Sequence, residues 1–321
     1  MQMLNNILGE AFRIAIGGHV RPDGDCVGSC MGLYQYIKEN YKDRRVDVYL
    51  EEIPEAYRCI EATKDIKHEV PENTKYDLFI CLDCGDKDRL GFSALLLDQA
   101  VRTCCIDHHI SNTEFTDYNY IVPDASSTSE LIYNLLDEEK ITLGVAEALY
   151  LGIVHDTGVF QYSCAGPSTF LTAAKLLEKG VDAPRIIQDT YYEKTYAQNQ
   201  ILGRALLESI LFMEGRCIAS YITKNTMDFY GVDPKDLDGV VSQLRVTKGV
   251  EVAIFMYELE TNLYKVSLRS KYDVDVSKVA QYFGGGGHKK AAGLTMTGTP
   301  HDVLCNLARQ IELQIETTLD K

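Results

Sequence analysis

Three candidate metal ligands fall within the seven residues His19-Val20-Arg21-Pro22-Asp23-Gly24-Asp25, directly after the apolar run FRIAIG. Pro22 and Gly24 punctuate a turn, so His19, Asp23 and Asp25 can converge. The pattern recurs. Asp83 follows DLFICL, Asp107-His108-His109 follows VRTCCI, and Asp156 lies in GIVHDTG after an apolar helical stretch. A single Asp after a strand is ordinarily a helix cap or turn residue, and a single His is ordinarily a satisfied surface or core group. Three strand ends carrying Asp or His, plus a helical Asp, are poorly explained that way. Uncompensated, these carboxylates would repel one another at neutral pH. Divalent cations are the simplest compensation. Mixed carboxylate and imidazole donors suit Mn2+, with Mg2+, Co2+ or Zn2+ as alternatives, and no thiolate is required. Four carboxylates and two imidazoles are too many for one ion and suit two. A pair about 3.5–4 Å apart favours hydrolysis of a phosphate ester or anhydride.

The elements that must hold these residues read as an α/β unit. Strands are expected at Phe12–Gly17, Val46–Leu50, Asp77–Leu82 and Val101–Ile106, with helices over Val27–Tyr41, Glu55–Ala62 and Leu90–Gln99 between them. Short continuous apolar runs separated by helices predict a parallel sheet covered on both faces, with ligands bound beyond the carboxyl ends of its strands. Residues 127–177 read as mostly helical, and Pro184–Leu207 as one connecting helix. Beyond it come strands at Arg216–Ile222, Glu251–Glu258, Tyr264–Arg269 and Leu294–Thr297, and helices at Leu237–Val246 and Val303–Leu319. This is the pattern of a smaller α+β domain. The expected boundaries are 1–184, a linker helix over 185–207, and 208–321.

Composition narrows the function classes. The 321 residues carry 32 Lys/Arg against 47 Asp/Glu, a formal charge of −15. Most of it, −13, falls in residues 1–204, with −2 in the remainder. Such a chain should not bind long double-stranded nucleic acid through a broad basic surface. With no apolar run long enough to span a bilayer and no signal-like start, a cytoplasmic protein without a membrane partner is expected. The ten cysteines are then expected as reduced thiols. Cys81 and Cys84 form one CxxC, which without a second is a weak zinc signal.

HVRPDGDCVGS, CLDCGDKDRLG, IDHH and GIVHDTGVF, in this order, resemble the four motifs of the DHH phosphoesterases. VSLRS at 266–270 and FGGGGHKKAAG at 283–293 resemble the companion DHHA1 substrate-binding domain. The branch most similar in size and motif style is the bifunctional oligoribonuclease (nano-RNase) and pAp-phosphatase group. The resemblance implies that His19 and Asp23 hold one metal, that Asp25, His108 and Asp156 hold a second, and that Asp83 bridges them. His109 would lie near the transferred phosphate, with Asp107 orienting a histidine. Arg269, Gly285, Gly286, Gly287 and His288 would grip the substrate's anionic end. Where relatives often have Ala or Ser after the second aspartate, this chain has Cys26, expected to be neutral.

These readings imply a parallel-sheet catalytic domain facing a smaller α+β domain across a cleft. The expected activity is metal-dependent hydrolysis of short RNA oligonucleotides to mononucleotides and dephosphorylation of 3′-phosphoadenosine 5′-phosphate (pAp). The rival enzyme reading is a phosphodiesterase for pApA or other linear products of cyclic dinucleotides. The non-enzymatic rival is a nucleotide-binding regulatory module. A homodimer is expected from the resemblance alone.

Overall fold

The apolar runs of the first half form a single sheet. In the computed structural model, which describes residues 2–72 and 74–319, the strands are β1 (Arg13–Gly17), β2 (Arg45–Tyr49), β3 (Ile66–Lys67), β4 (Tyr76–Leu82), β5 (Ala100–Asp107) and β6 (Tyr118–Ile121). Their order is β3-β2-β1-β4-β5-β6, and every pairing is parallel. The direction of strand addition reverses between β1 and β4, which places Gly17 beside Cys81 at adjacent carboxyl ends. An open α/β sheet binds ligands at such a switch point.

Helices cover both faces. One face packs against α1 (Gln2–Leu8), α2 (Gly24–Asn40), α4 (Thr128–Leu135) and α5 (Leu143–Asp156), burying Ile14, Ile16, Leu78, Ile80, Met31 and Leu149 among others. The other face buries Tyr49, Tyr76, Phe79, Leu90 and Leu96 beneath α3 (Leu95–Gln99) and the loop before it. There the Tyr49 and Tyr76 hydroxyls hydrogen-bond at 2.6 Å, and Tyr76 donates to Asp47 at 2.7 Å. Helices α6 (Pro167–Glu178) and α7 (Ala183–Ile187) complete this unit, Met1–Glu193.

Three local readings are corrected. Glu55–Ala62 is not one helix but two 3-10 turns, Glu55–Cys59 and Glu61–Asp65, neither with a side-chain cap at its start. Leu90–Gln99 breaks at Gly91, whose φ of 57° lies outside helical space. Pro184–Leu207 is also interrupted: α7 ends, a π-turn spans Gln188–Tyr192, and a new helix starts at Tyr196. Thr195 and Gln198 form a reciprocal capping box there, which restarts the helix rather than continuing it.

The second unit, Lys194–Lys321, opens with α8 (Tyr196–Leu207). Its strands are β7 (Ile210–Phe212), β8 (Cys217–Ile222), β9 (Val252–Glu260), β10 (Leu263–Ser270), β11 (Gly286–His288) and β12 (Ala291–Thr297), in the order β11-β12-β10-β9-β8-β7. Among the described residues of this unit, only β8 and β9 pair in parallel; the remaining pairs are antiparallel. Leu268, Val266 and Ile254 pack with α11 (Val276–Tyr282) and α12 (Pro300–Leu319) on one face; Ala253 and Phe255 pack with α10 (Val240–Arg245) on the other. The short α9 (Lys224–Tyr230) closes on Gly231 in a left-handed conformation. Among the described residues, no helix is long and apolar enough to cross a membrane.

Candidate metal centre

The loop after β1 delivers the first donors. Asp23 caps α2, its Oδ1 accepting the backbone N–H groups of Asp25 and Cys26 at 3.2 and 3.1 Å. His19, 3 % exposed, directs Nε2 to within 3.5 Å of Asp23 Oδ2. Its Nδ1 lies 2.9 Å from the Val20 carbonyl oxygen, so it donates there and presents Nε2 as the ligating nitrogen.

Asp83 follows β4 with φ of 54°, a left-handed conformation uncommon for a residue with a side chain. A hydrogen bond from its N–H to the Ile106 carbonyl, 3.1 Å, holds it there. The carboxylate is divided between two sets of partners. Oδ2 lies 3.5 Å from His19 Nε2, and Oδ1 lies 3.6 Å from His108 Nε2 and 3.1 Å from the donating Thr128 hydroxyl. His108 Nε2 is in turn 3.3 Å from Asp156 Oδ2 at the end of α5. Donor atoms of Asp25, His108 and Asp156 all lie within 4.8 Å of one another, as do those of Asp83, His108 and His109. The six side chains singled out in the sequence are thus gathered at one place.

Asp107, fully buried at the end of β5, works through its neighbours. Its Oδ1 accepts the His109 Nδ1–H at 2.7 Å and the His108 backbone N–H at 2.9 Å; Oδ2 accepts from Asn112 at 2.6 Å. Burial works against an ionised Asp107, but the His109 and Asn112 hydrogen bonds hold its pKa below the usual carboxylate range. Reciprocally, Asp107 raises the pKa of His109. Asn112 escaped the sequence reading, and its only signal is its place three residues beyond the histidine pair.

The segment Ser126–Glu130 has two tasks. Ser127 does cap α4, accepting the Glu130 N–H at 3.0 Å. The N–H groups of Thr128 and Ser129 donate to the two oxygens of Asp25 at 2.6 and 2.9 Å. The positive end of α4 therefore fixes Asp25.

The electrostatics fit cations. Burial, then Asp83 and Asp156, push the Asp25 carboxyl well up. Burial with Asp83 and Asp23 pushes Asp156 up to about 7, against the pull of His108. Burial disfavours a charged His19, yet Cys26, Asp23 and Asp83 outweigh it and raise that imidazole. Among the described residues, no Lys or Arg pairs with Asp23, Asp25, Asp83 or Asp156. Crowded carboxylates with only histidines for partners are a donor set that divalent cations satisfy.

The closeness of α5 depends on Gly152. A Cβ there would fall 1.9 Å from Ser129 Oγ and 2.7 Å from both Ser129 Cβ and Asp25 Oδ1. Gly152→Ala is therefore expected to displace α5 from α4, costing about 1–3 kcal/mol by overpacking and weakening cation binding. Urea unfolding and a cation titration of the variant check this; wild-type values for both would refute it.

In the second unit the glycine run is partly strand. Gly286–His288 is edge strand β11, paired with β12. A Cβ on Gly285 would lie 2.4 Å from the Gly293 oxygen and one on Gly287 2.5 Å from that of Ala291, so these glycines permit close strand approach. Ala291 pairs with Arg269 on one side and His288 on the other. Directly paired residues share a sheet face, so Arg269 and His288 flank Ala291 on the same face.

Residues 13–153 match the family model of the DHH family, N-terminal domain, and residues 214–316 match that of the DHHA1 domain. The chain thus carries a DHH domain followed by a DHHA1 domain. It is 27 % identical over 297 residues to the bifunctional oligoribonuclease and PAP phosphatase NrnA of Thermus thermophilus, covering 90 % of this chain and 86 % of that protein. Against the Bacillus subtilis protein of the same name the figures are 26 % over 289 residues, 88 % and 89 %. The crystal structure of an exopolyphosphatase-related protein from Bacteroides fragilis superposes with a TM-score of 0.89 at 26 % identity, covering 97 % of this chain and 95 % of that one.

Proposed function

We propose that this protein is a cytoplasmic, metal-dependent phosphoesterase that hydrolyses short RNA oligonucleotides to mononucleotides and removes a phosphate from pAp. The reading is carried by Asp83, whose two oxygens face His19 on one side and His108 on the other. That division suits a carboxylate shared by two cations, one held by His19 and Asp23 and the other by Asp25, His108 and Asp156. Mn2+ is the ion the mixed donors favour. When bound, such a pair supplies a nucleophile from water at neutral pH and positive charge against the phosphoryl oxygens. The chain supplies the positioning. Thr128 and Ser129 hold Asp25 still, and Asp107 orients His109. With its pKa raised, His109 is suited to donate a proton or hydrogen bond to a phosphate oxygen. Arg269 and His288, on one face of the second sheet, offer a planar fork and a ring donor to the anionic end of the substrate, beside Gly286, which is open, and the close-packed Gly285 and Gly287. The relatives named as oligoribonuclease and PAP phosphatase support this substrate class. Ten free cysteines support a reducing compartment.

The test is a product profile with Mn2+ on labelled dinucleotide through pentanucleotide, pAp and pApA. Mononucleotides from the shortest oligomers and phosphate from pAp are expected. Turnover confined to pApA would move the reading to a linear-dinucleotide phosphodiesterase, and cation binding with no turnover would favour a binding module.

A further inference from the structure

One side chain in the first turn of α2 belongs to neither proposed cation set, yet lies against one of them. Cys26 is fully buried, and its Sγ lies with a His19 ring nitrogen and an Asp83 carboxylate oxygen in a group whose donor atoms are all within 4.8 Å of one another. All three residues are buried. Two features hold the sulfur in place. The Cys26 N–H donates to Asp23 Oδ1 at 3.1 Å, which ties its backbone to a neighbouring donor. The sulfur also rests against Gly18, where a Cβ would approach it to 2.3 Å, so the residue before His19 has no side chain to push it away.

We propose that Cys26 is an additional ligand on the His19 side of the centre, making that position a nitrogen–oxygen–sulfur site for a thiophilic divalent cation of the zinc class. Resting on the metal reading above, this assigns the site a selectivity that carboxylates and imidazoles alone would not confer. Thiolate donors favour Zn2+ over Mn2+ or Mg2+, which prefer oxygen. The binding step is a ligand exchange. The sulfur gives its proton to solvent and its lone pair to the cation, with no change of oxidation state. A coordinating thiol is held as thiolate by the cation, and the N-terminus of α2 favours the same form. This proposal departs from the expectation from sequence that Cys at this position is neutral and that no thiol need be a ligand.

The experiment is a Co2+ titration of the full chain after chelator treatment, followed by absorption spectroscopy. Visible d–d bands report cation binding in the cluster, and a near-ultraviolet sulfur-to-cobalt charge-transfer band reports a thiolate ligand. Wild type should show both; Cys26→Ala and Cys26→Ser should lose the charge-transfer band and retain the d–d bands. Visible bands without charge transfer in wild type would overturn the thiolate ligand and leave the metal reading standing. Survival of the charge-transfer band in either variant would overturn it too, by assigning the sulfur to another cysteine. Absence of both bands from wild type would remove the metal reading itself. Circular dichroism checks that the variants fold, and Cys26→Ser, close in size to the native side chain, carries the assignment if Cys26→Ala does not fold.

Discussion

Replacing Asp83 with alanine lowers turnover of a dinucleotide by at least about a thousandfold, the upper scale for losing one preorganised charge-stabilising group. The expectation follows from where its oxygens lie. Oδ2 is 3.5 Å from His19 and Oδ1 3.6 Å from His108, so one substitution removes a donor from both halves of the cluster. It also takes away the acceptor of the Thr128 hydroxyl, 3.1 Å from Oδ1. Asp23, by contrast, meets only His19 among the proposed ligand side chains and is largely exposed. Steady-state kinetics on Asp83→Ala, with circular dichroism to confirm folding, is the measurement. An Asp83→Ala enzyme that folds and keeps a tenth or more of wild-type turnover would end the case for a shared carboxylate.

The second large effect is on stability, and its sign reverses between chelator and cation. Without cations, burial and neighbouring carboxylates raise Asp156 to about 7, against about 3.9 for an unfolded Asp. Between those values the folded chain binds more protons than the unfolded one, so stability falls as pH rises from about 4 to about 7. His19, raised despite its burial, acts in the same direction: its contribution is fully present below about 6.5 and is lost as pH rises toward its folded value. A divalent cation that binds only the folded, ionised cluster adds about 2.7 kcal/mol at a hundredfold excess over its Kd. For a unit of this size that is a rise in Tm of about 5–10 °C. Protons compete for the same oxygens, so the gain should shrink as pH drops below about 7. Thermal melts with EDTA and with Mn2+ at pH 5 and pH 8 test this. The cation-dependent gain should be larger at pH 8, and an equal gain at both pH values would contradict the account.

Legibility in the sequence was greatest where the cause is local. Strands β1, β2, β4 and β5 agree with their expected spans to within a residue or so, because each is a continuous apolar run bounded by polar or turn residues. Strands β3 and β6 were not read. Ile66–Lys67 is too short to have a period, and Tyr118–Ile121 is only partly buried. Their pairing comes from neighbours already in the sheet. The failures at 55–62 and 90–99 have a related origin: both segments carry helix-like apolar spacing, but the first lacks a cap and the second is broken at Gly91.

The donors were legible because their chemistry is in their identity and their position follows from strand ends. His19, Asp83 and Asp107–His109 follow or end strands that lie adjacent in a parallel sheet, so the order of strands alone brings them near. Beyond the groupings that the resemblance implied, what each donor touches was not legible. The attachment of Asp25 to the α4 amides, the approach of α5 at Gly152, the hold of Asn112 on Asp107 and the nearness of Cys26 to Asp83 join residues 5, 57, 103 and 127 positions apart. Residue types and strand ends thus determined which groups do the chemistry. The division of Asp83 between two partners, and the sulfur beside it, were decided by packing, because interatomic distances of a few ångströms depend on how helices and strands settle against one another, which no local pattern encodes.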